Sequence, residues 1–294
     1  MITVLLLLIC ILSSGFTGNL YKTLSNESRS VLHSAAFPCG WYLLLGIFFS
    51  AVTFAEKSSF ANTLIPVAAV AGVCIFAAAS ILIESMKVAP LSISLIIINL
   101  NFIIPVLLSA LFLQEKAGVV QLGGMILSIG MIIFINRAPK NGSGKKYAAI
   151  LLPLIASVAN GLVNFCIKIN EKENGDAMPF FAVMYLCAAL CSLLAAAFLA
   201  RKKNNRLPLS KKAVKPISVA VLLMALCNGL CFYMTDLLAS RMNAAAQFTT
   251  VTCMSILLSL GVGFLFQGDK LTRKSLLSIL CCIIAILCQA GAIL

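Results

Sequence analysis

The sequence predicts an all-α integral membrane protein with ten transmembrane helices. Of its 294 residues, 61% are hydrophobic and 11% are charged, and the mean hydropathy is +1.06. Soluble proteins are roughly 45–50% apolar and about 25% charged. A bilayer core takes about 20 apolar residues per helix, so 294 residues accommodate ten spans joined by short connections.

Ten apolar segments of suitable length follow one another along the chain. They are 2–20, 35–54, 61–83, 90–113, 118–136, 147–168, 178–200, 214–237, 242–266 and 274–294. The two longest connections, 137–146 and 201–213, contain Gly, Pro, Asn and Lys, which is typical of solvated loops. The first segment lacks the basic start of a signal peptide, so we interpret it as a helix.

The net charge of +13 comes from Lys and Arg in short loops between the apolar segments. This placement indicates membrane topology and contact with lipid head groups, and it excludes a nucleic-acid partner. Five of the 22 Lys and Arg residues fall on the side that holds both termini, and the other 17 fall on the opposite side. The positive-inside rule therefore predicts that both termini lie outside.

The twelve cysteines lie in or near apolar spans, and the chain has a single histidine, His33. Free cysteine in such surroundings usually acts as a small buried hydrophobic residue, so we predict no metal site, cofactor or disulfide framework. The sequence also lacks the clustered acids or nucleophile–base pairs of an enzyme. We expect Trp41 and Tyr42 to anchor the second span at the membrane interface.

An internal repeat relates the two halves of the chain. Residues 13–22 (SSGFTGNLYK) match 159–168 (ANGLVNFCIK) at an offset of 146, which aligns Gly15 with Gly161. Residues 111–116 (LFLQEK) match 265–270 (LFQGDK) at an offset of 154. Because five spans is an odd number, the second half enters the membrane from the opposite side. We therefore predict a 5+5 inverted repeat, with halves 1–136 and 147–294 and a linker at 137–146.

The chain resembles EamA-type transporters of the drug/metabolite transporter superfamily. The resemblance rests on ten spans in two repeats, on the pairs Glu115–Lys116 and Asp269–Lys270, and on the Gly-rich fifth span QLGGMILSIGMIIFI. It implies a multi-pass transporter of the plasma membrane with both termini in the cytoplasm, opposite to the charge count. The sequence departs from the usual family pattern near Ser14–Gly15 and His33.

Polar side chains at membrane depth are costly and face a cavity or a partner helix. We expect a central substrate cavity lined by Ser14, Asn99, Asn160, Asn164, Asn228, Tyr233, Gln247 and Thr250. The alternative is that these groups only link helices through hydrogen bonds.

The nine acids avoid the middle of the spans, so proton antiport through a central carboxylate is not predicted. Glu84 has Lys87 three residues later, and Asp236 has Arg241 five residues later. These pairs occupy corresponding places in the two repeats, hence opposite membrane faces. We hypothesise that they act as alternating gates, against the alternative of local ion pairs at helix ends.

These patterns predict a transporter that moves small polar or amphipathic metabolites by alternating access, in export or exchange. Amino acids and related amines are the first candidates, because the expected cavity is rich in amides and hydroxyls. Organic phosphates fit less well, since phosphate recognition favours paired basic groups. The alternative is a flippase for a lipid-linked substrate. Small-residue faces in the fifth and tenth spans suit a homodimer contact.

Overall fold

A computed structural model describes residues 2–58, 60, 63–88, 94, 97–115, 118–119, 122–123, 126–127, 145–201, 211–266, 280 and 284. Every regular element within these ranges is helical. The helices are α1 (Ile2–Glu27), α2 (Val31–Ala55), α3 (Ile65–Val88), a 3-10 turn (Asn99–Phe102) leading into α4 (Ile103–Phe112), α5 (Lys145–Lys172), α6 (Ala177–Ala200), α7 (Lys211–Ala239) and α8 (Ala244–Phe266).

Six of these helices are long and apolar enough to cross a membrane. They are α1, α2, α3, α6 and the segments Tyr147–Lys172 of α5 and Ala213–Ala239 of α7. The predicted class, a helical membrane protein, is therefore supported. The predicted spans 118–136 and 274–294 lie mostly outside the described residues, so the total of ten remains a prediction.

The helices are joined by tight connections with recognisable ends. Ser30 caps α2, and its hydroxyl accepts a hydrogen bond from the backbone N–H of His33 at 3.4 Å. After α5, Asn174 adopts a left-handed backbone with φ 54°, and the N–H of Gly175 returns to the carbonyl of Asn170 at 2.8 Å. Such caps satisfy backbone groups that a helix end leaves unpaired.

Three antiparallel helix pairs form the centre of the bundle. In the α2–α6 pair, the ring of Phe49 lies 5.2 Å from that of Phe181 and 5.7 Å from that of Tyr185. In the α1–α7 pair, the sulfurs of Cys10 and Cys231 are 3.9 Å apart. The third pair is α3–α5. Because the partners in each pair come from different halves of the sequence, the halves interlock.

Trp41 and Tyr42 are buried in this core, so their predicted position at the membrane interface is wrong. The Tyr42 hydroxyl donates to the carbonyl oxygen of Ile75 at 2.9 Å, and its ring stacks on Tyr185. The ring of Trp41 packs edge-on against Tyr21. Both rings fill the space between α2 and its neighbours, where aromatic pairs stabilise packing.

Large apolar side chains cover the outside of the bundle. Leu111 and Phe112 of α4, and Leu194 and Phe198 of α6, are strongly exposed. Exposed apolar surface of this extent marks contact with a membrane or a partner. The buried polar side chains lie inside this apolar exterior.

Candidate functional site: a polar cavity and its closed end

A cavity of about 140 Å³ lies between helices from both halves of the chain. Six of the side chains predicted to bind substrate line it: Ser14, Asn99, Asn160, Asn164, Asn228 and Gln247. Polar residues that the sequence analysis did not select also line it, among them Thr17, Tyr21, Asn101, Cys231, Thr235 and Thr252. None of the described residues lining the cavity carries a formal charge.

Helical periodicity explains which side chains reach the cavity. On α5, Asn160 and Asn164 are one turn apart and share a face. On α8, Gln247 and Val251 follow the same spacing, and Thr252 lies beside them. Polar residues at these spacings give the cavity its lining, whereas polar residues at other positions face elsewhere.

Tyr233 and Thr250 do not line the cavity, which corrects two predicted substrate contacts. Phe232 lines it instead, and Tyr233 is rotated by about 100° on the same helix, where it packs against the apolar core. Thr250 is buried, but its helix turns Gln247 and Val251 towards the cavity and Thr250 away from it.

Several amides of the cavity retain open hydrogen-bonding capacity. Within the described part of the chain, the side chains of Asn99, Asn101, Asn160 and Asn164 form no hydrogen bond. The Asn228 amide reaches only a weak acceptor, the sulfur of Met224, at 3.7 Å. Hydrogen bonds that merely link helices would have used these groups, so the amides are available to a solute.

Among these amides, Gln247 is held by a hydrogen bond to the backbone of a neighbouring helix. It is 1% exposed, and its nitrogen Nε2 donates to the backbone carbonyl of Thr235 at 2.6 Å. Its oxygen Oε1 is buried and has no partner among the described atoms. Gln247 therefore links α8 to α7 and still presents an unsatisfied acceptor.

One helical turn beyond Asn164 on α5, an ion pair of a buried lysine with a half-buried glutamate connects the two halves. Lys168 is 2% exposed, and its Nζ lies 3.1 Å from Glu115 Oε1. The same nitrogen donates to the carbonyl oxygens of Ala239 and Met242, each at 2.8 Å. Glu115 Oε2 accepts from the N–H of Ala244 at 2.8 Å. All three ammonium protons of Lys168 thus have an acceptor.

Helix ends account for the placement of these charges. Ala239 is the last residue of α7 and Ala244 is the first of α8. The carbonyls at a helix C-terminus attract a cation, and the free N–H groups at an N-terminus attract an anion. Lys168 and Glu115 satisfy both ends and one another. The pairing was missed in the sequence because the two residues are distant, although both follow spans that end on the same membrane face.

The other end of the bundle has a different set of contacts. Lys22 Nζ donates to the carbonyl oxygen of Met86 at 3.0 Å. The predicted pair of Glu84 with Lys87 is present, with a separation of 2.6 Å and side chains 25% and 21% exposed. Lys87 also donates to the carbonyl of Ser30 at 3.2 Å. These contacts join residues of the first half only.

The predicted pair of Asp236 with Arg241 is not formed in this structure. Both residues are described, and no ion pair joins them. A separation of five residues does not bring two helical side chains onto one face, and Arg241 lies beyond the end of α7 at Ala239. Asp236 is buried, and its Oδ1 has no hydrogen-bond partner among the described residues.

The described residues contain no group of three or more His, Cys, Asp or Glu side chains that could hold a metal ion. The nine described cysteines are free thiols. The chemistry offered by the site is therefore hydrogen bonding from amides and hydroxyls.

Long apolar helices around a polar cavity are typical of a multi-pass membrane protein. Residues 147–289 match the EamA-like transporter family. This match confirms the resemblance of the sequence to EamA-type membrane transporters of the drug/metabolite transporter superfamily over the second half of the chain. This is a family of transporters rather than of enzymes.

A solved crystal structure of a protein of similar length has the same fold. It aligns with a TM-score of 0.71 over 99% of this chain and 97% of its own, at 15% sequence identity. At that identity the likeness shows the fold alone. No curated protein matches the sequence.

Proposed function

We propose that the chain moves small polar or amphipathic metabolites across the plasma membrane by alternating access, in export or exchange. Amino acids and related amines are the first candidates. The observation that carries this proposal is the cavity between the halves, whose amides have open hydrogen-bonding capacity and whose described lining is uncharged. A dipolar solute can satisfy such amides as both donors and acceptors.

The size and charge of the cavity narrow the choice of solute. Its volume is about 140 Å³, and an engineered protein cavity of roughly 150 Å³ holds a benzene molecule. A phosphate ester favours paired basic side chains, which are absent from the described lining. The cavity therefore favours a small solute that is neutral or zwitterionic.

Matching contacts in the two halves support the proposed inverted repeat of 1–136 and 147–294, joined by the linker 137–146. Gly15 of α1 packs against Leu258 of α8, and a Cβ at Gly161 of α5 would lie 2.6 Å from Ile104 Cβ of α4. The offset of 146 relates the two glycines, and the offset of 154 relates Ile104 to Leu258. The two contacts are thus equivalent under the repeat.

Lys22 and Lys168, which the offset of 146 also relates, make equivalent contacts in the two halves. Lys22 bonds the carbonyl of Met86 near the end of α3, and Lys168 bonds the carbonyl of Ala239 at the end of α7. Likewise, α3 packs on α5 as α7 packs on α1. Equivalent contacts at opposite ends would let a carrier alternate between an outward-open and an inward-open state, related by the pseudo-twofold axis of the repeat.

We assign the pair Glu115–Lys168 as the closed gate in this conformation. It joins the end of α4 in the first half to α5 and the α7–α8 turn in the second half. It takes the place of the pair Asp236–Arg241 in the predicted scheme. Glu84–Lys87 remains the proposed latch of the other end.

Solute counterflow in proteoliposomes, with a labelled panel of amino acids and amines, tests this function. We expect uptake by the wild type and loss of uptake in Asn164→Ala. Ser157→Ala is the matched control, because Ser157 is a buried polar residue of α5 that does not line the cavity. Movement of a lipid-linked substrate without any soluble solute would replace the proposal by the flippase alternative.

A further inference from the structure

The side-chain oxygen of Gln247 is a buried acceptor that has no donor among the described residues. The carbonyl of Thr235 only accepts hydrogen bonds, so the atom of Gln247 that lies 2.6 Å from it must be the amide nitrogen. This fixes the orientation of the amide. Oε1 therefore points away from Thr235, in a side chain that lines the cavity and is 1% exposed.

Two hydroxyls of residues that line the cavity already donate to backbone carbonyls. Thr235 Oγ1 donates to the carbonyl of Cys231 at 2.8 Å, and Thr17 Oγ1 donates to the carbonyl of Ser14 at 2.7 Å. No described donor reaches Gln247 Oε1. A buried carbonyl oxygen without a donor loses the hydrogen bonds that water would give it, so a solute that brings a donor is favoured.

The other acceptors around the cavity favour a solute group that can donate several hydrogen bonds. A hydroxyl offers one proton, whereas an ammonium group offers three. The oxygens of Asn160 and Asn164, with Gln247 Oε1, supply several acceptors around one cavity. The amide N–H groups of the same side chains can donate to a carboxylate on the solute.

We infer that Gln247 Oε1 accepts a hydrogen bond from a primary amine of the transported solute and so determines selectivity for primary over N-alkylated amines. This rests on the proposed function, because it concerns the same cavity. The expected solute is a small primary-amine zwitterion. Removing its N–H groups while keeping its charge should weaken binding.

The glycine N-methylation series tests the inference with the full chain in detergent. The probes are glycine, N-methylglycine, N,N-dimethylglycine and trimethylglycine, which keep both charges while the N–H groups are lost one by one. Ligand-dependent thermal stabilisation reports binding without transport. For the wild type, we expect affinity for trimethylglycine to be about ten- to a hundredfold below that for glycine, the range of a hydrogen bond to a charged group.

Two substitutions separate recognition from folding. Gln247→Met keeps the length of the side chain but removes the acceptor, and should reduce the difference between glycine and trimethylglycine to less than about threefold. Gln247→Glu retains an acceptor and should keep the preference for glycine. Thr250→Ala is the matched control on α8, because Thr250 is buried outside the cavity, and it should behave like the wild type.

The outcomes distinguish this inference from the proposed function. Wild-type protein that binds all four probes equally, binds none of them, or keeps its selectivity in Gln247→Met overturns the inference. Counterflow of other solutes in that case would leave transport intact. Selective binding of glycine without counterflow of any solute would support the inference and reject the proposed transport.

Discussion

Lys168 Nζ and Glu115 Oε1 lie 3.1 Å apart, in contact with the last carbonyl of α7 and the first N–H of α8. The pair thus joins the end of α4, the end of α5 and the α7–α8 turn at a single buried point. In the proposed cycle, opening the bundle at this end would separate these bonds. The ion pair is therefore where stability and transport are expected to depend on the same residues.

Replacement of Lys168 by Met should strongly destabilise the protein. It removes the partner of Glu115, whose side chain is 21% exposed, and the donor to the carbonyls of Ala239 and Met242. A hydrogen bond to a charged group is worth about 1.5–3 kcal/mol. Lys87→Met removes a partner from the exposed pair with Glu84 and should cost about 0–1 kcal/mol. Denaturant unfolding in mild detergent measures both, and equal losses would show that Lys168 carries no special role.

Exchange of the charges of Glu84 and Lys87 should preserve counterflow if the pair is a latch. The separation of 2.6 Å within one turn of α3 permits the reversed pair. Glu84→Ala should alter flux, because it leaves Lys87 bonded only to the carbonyl of Ser30. Unchanged flux in Glu84→Ala would reduce the pair to a local contact at a helix end.

A methyl group at Gly161 should disturb the contact of α5 with α4. Its Cβ would lie 2.6 Å from the carbonyl oxygen of Asn101 and from Ile104 Cβ, and overpacking of this kind costs about 1–3 kcal/mol. Gly123→Ala is the control, because no atom of the described residues lies within 4 Å of a Cβ there, and it should gain up to about 1 kcal/mol of helix propensity. Thermal unfolding midpoints of the two variants should shift in opposite directions.

Oxidation should link Cys10 to Cys231. Their sulfurs are 3.9 Å apart, and a small movement brings them to the bonding distance of roughly 2.05 Å. Copper phenanthroline treatment should yield a linked peptide by mass spectrometry and reduce counterflow, since α1 and α7 both line the cavity. Cys231→Ser should abolish the linked peptide and protect activity.

The membrane orientation follows from the distribution of basic residues. An epitope inserted in the basic connection 201–213 should be inaccessible to antibody on intact cells, and one inserted beside Lys57 should be accessible, if both termini lie outside. The reverse labelling would support the cytoplasmic termini implied by the family resemblance.

Much of the architecture could be predicted because helix length and apolar content are local properties. The predicted span 178–200 corresponds to the helix Ala177–Ala200. The predicted span 2–20 was too short, because α1 continues through polar residues to Glu27. Hydropathy marks only the apolar part of a helix and does not detect this polar extension. The repeat match of Gly15 with Gly161 also identified two residues that make equivalent close contacts.

The site was harder to predict, because it depends on which face of each helix turns inward. The spacing of Asn160 and Asn164 was enough to put both on one face of α5. Tyr233 and Phe232 are adjacent on α7, and the sequence does not indicate which of the two faces the cavity. Pairing of Glu115 with Lys168 depends on tertiary packing between the halves, which no local pattern contains. The sequence paired Asp236 with Arg241, five residues later, and this pair is not formed in the structure.

The first turn of α8 carries two different contacts. The N–H of Ala244 is held by Glu115, and Gln247, three residues later, enters the cavity. Any pull that a bound molecule exerts on Gln247 is transmitted within a single rigid turn to the bond at Ala244. In the proposed transport cycle, an empty carrier would keep the bond at Ala244, so its reorientation would depend on a bound solute. Such a dependence would favour one-for-one exchange over leak.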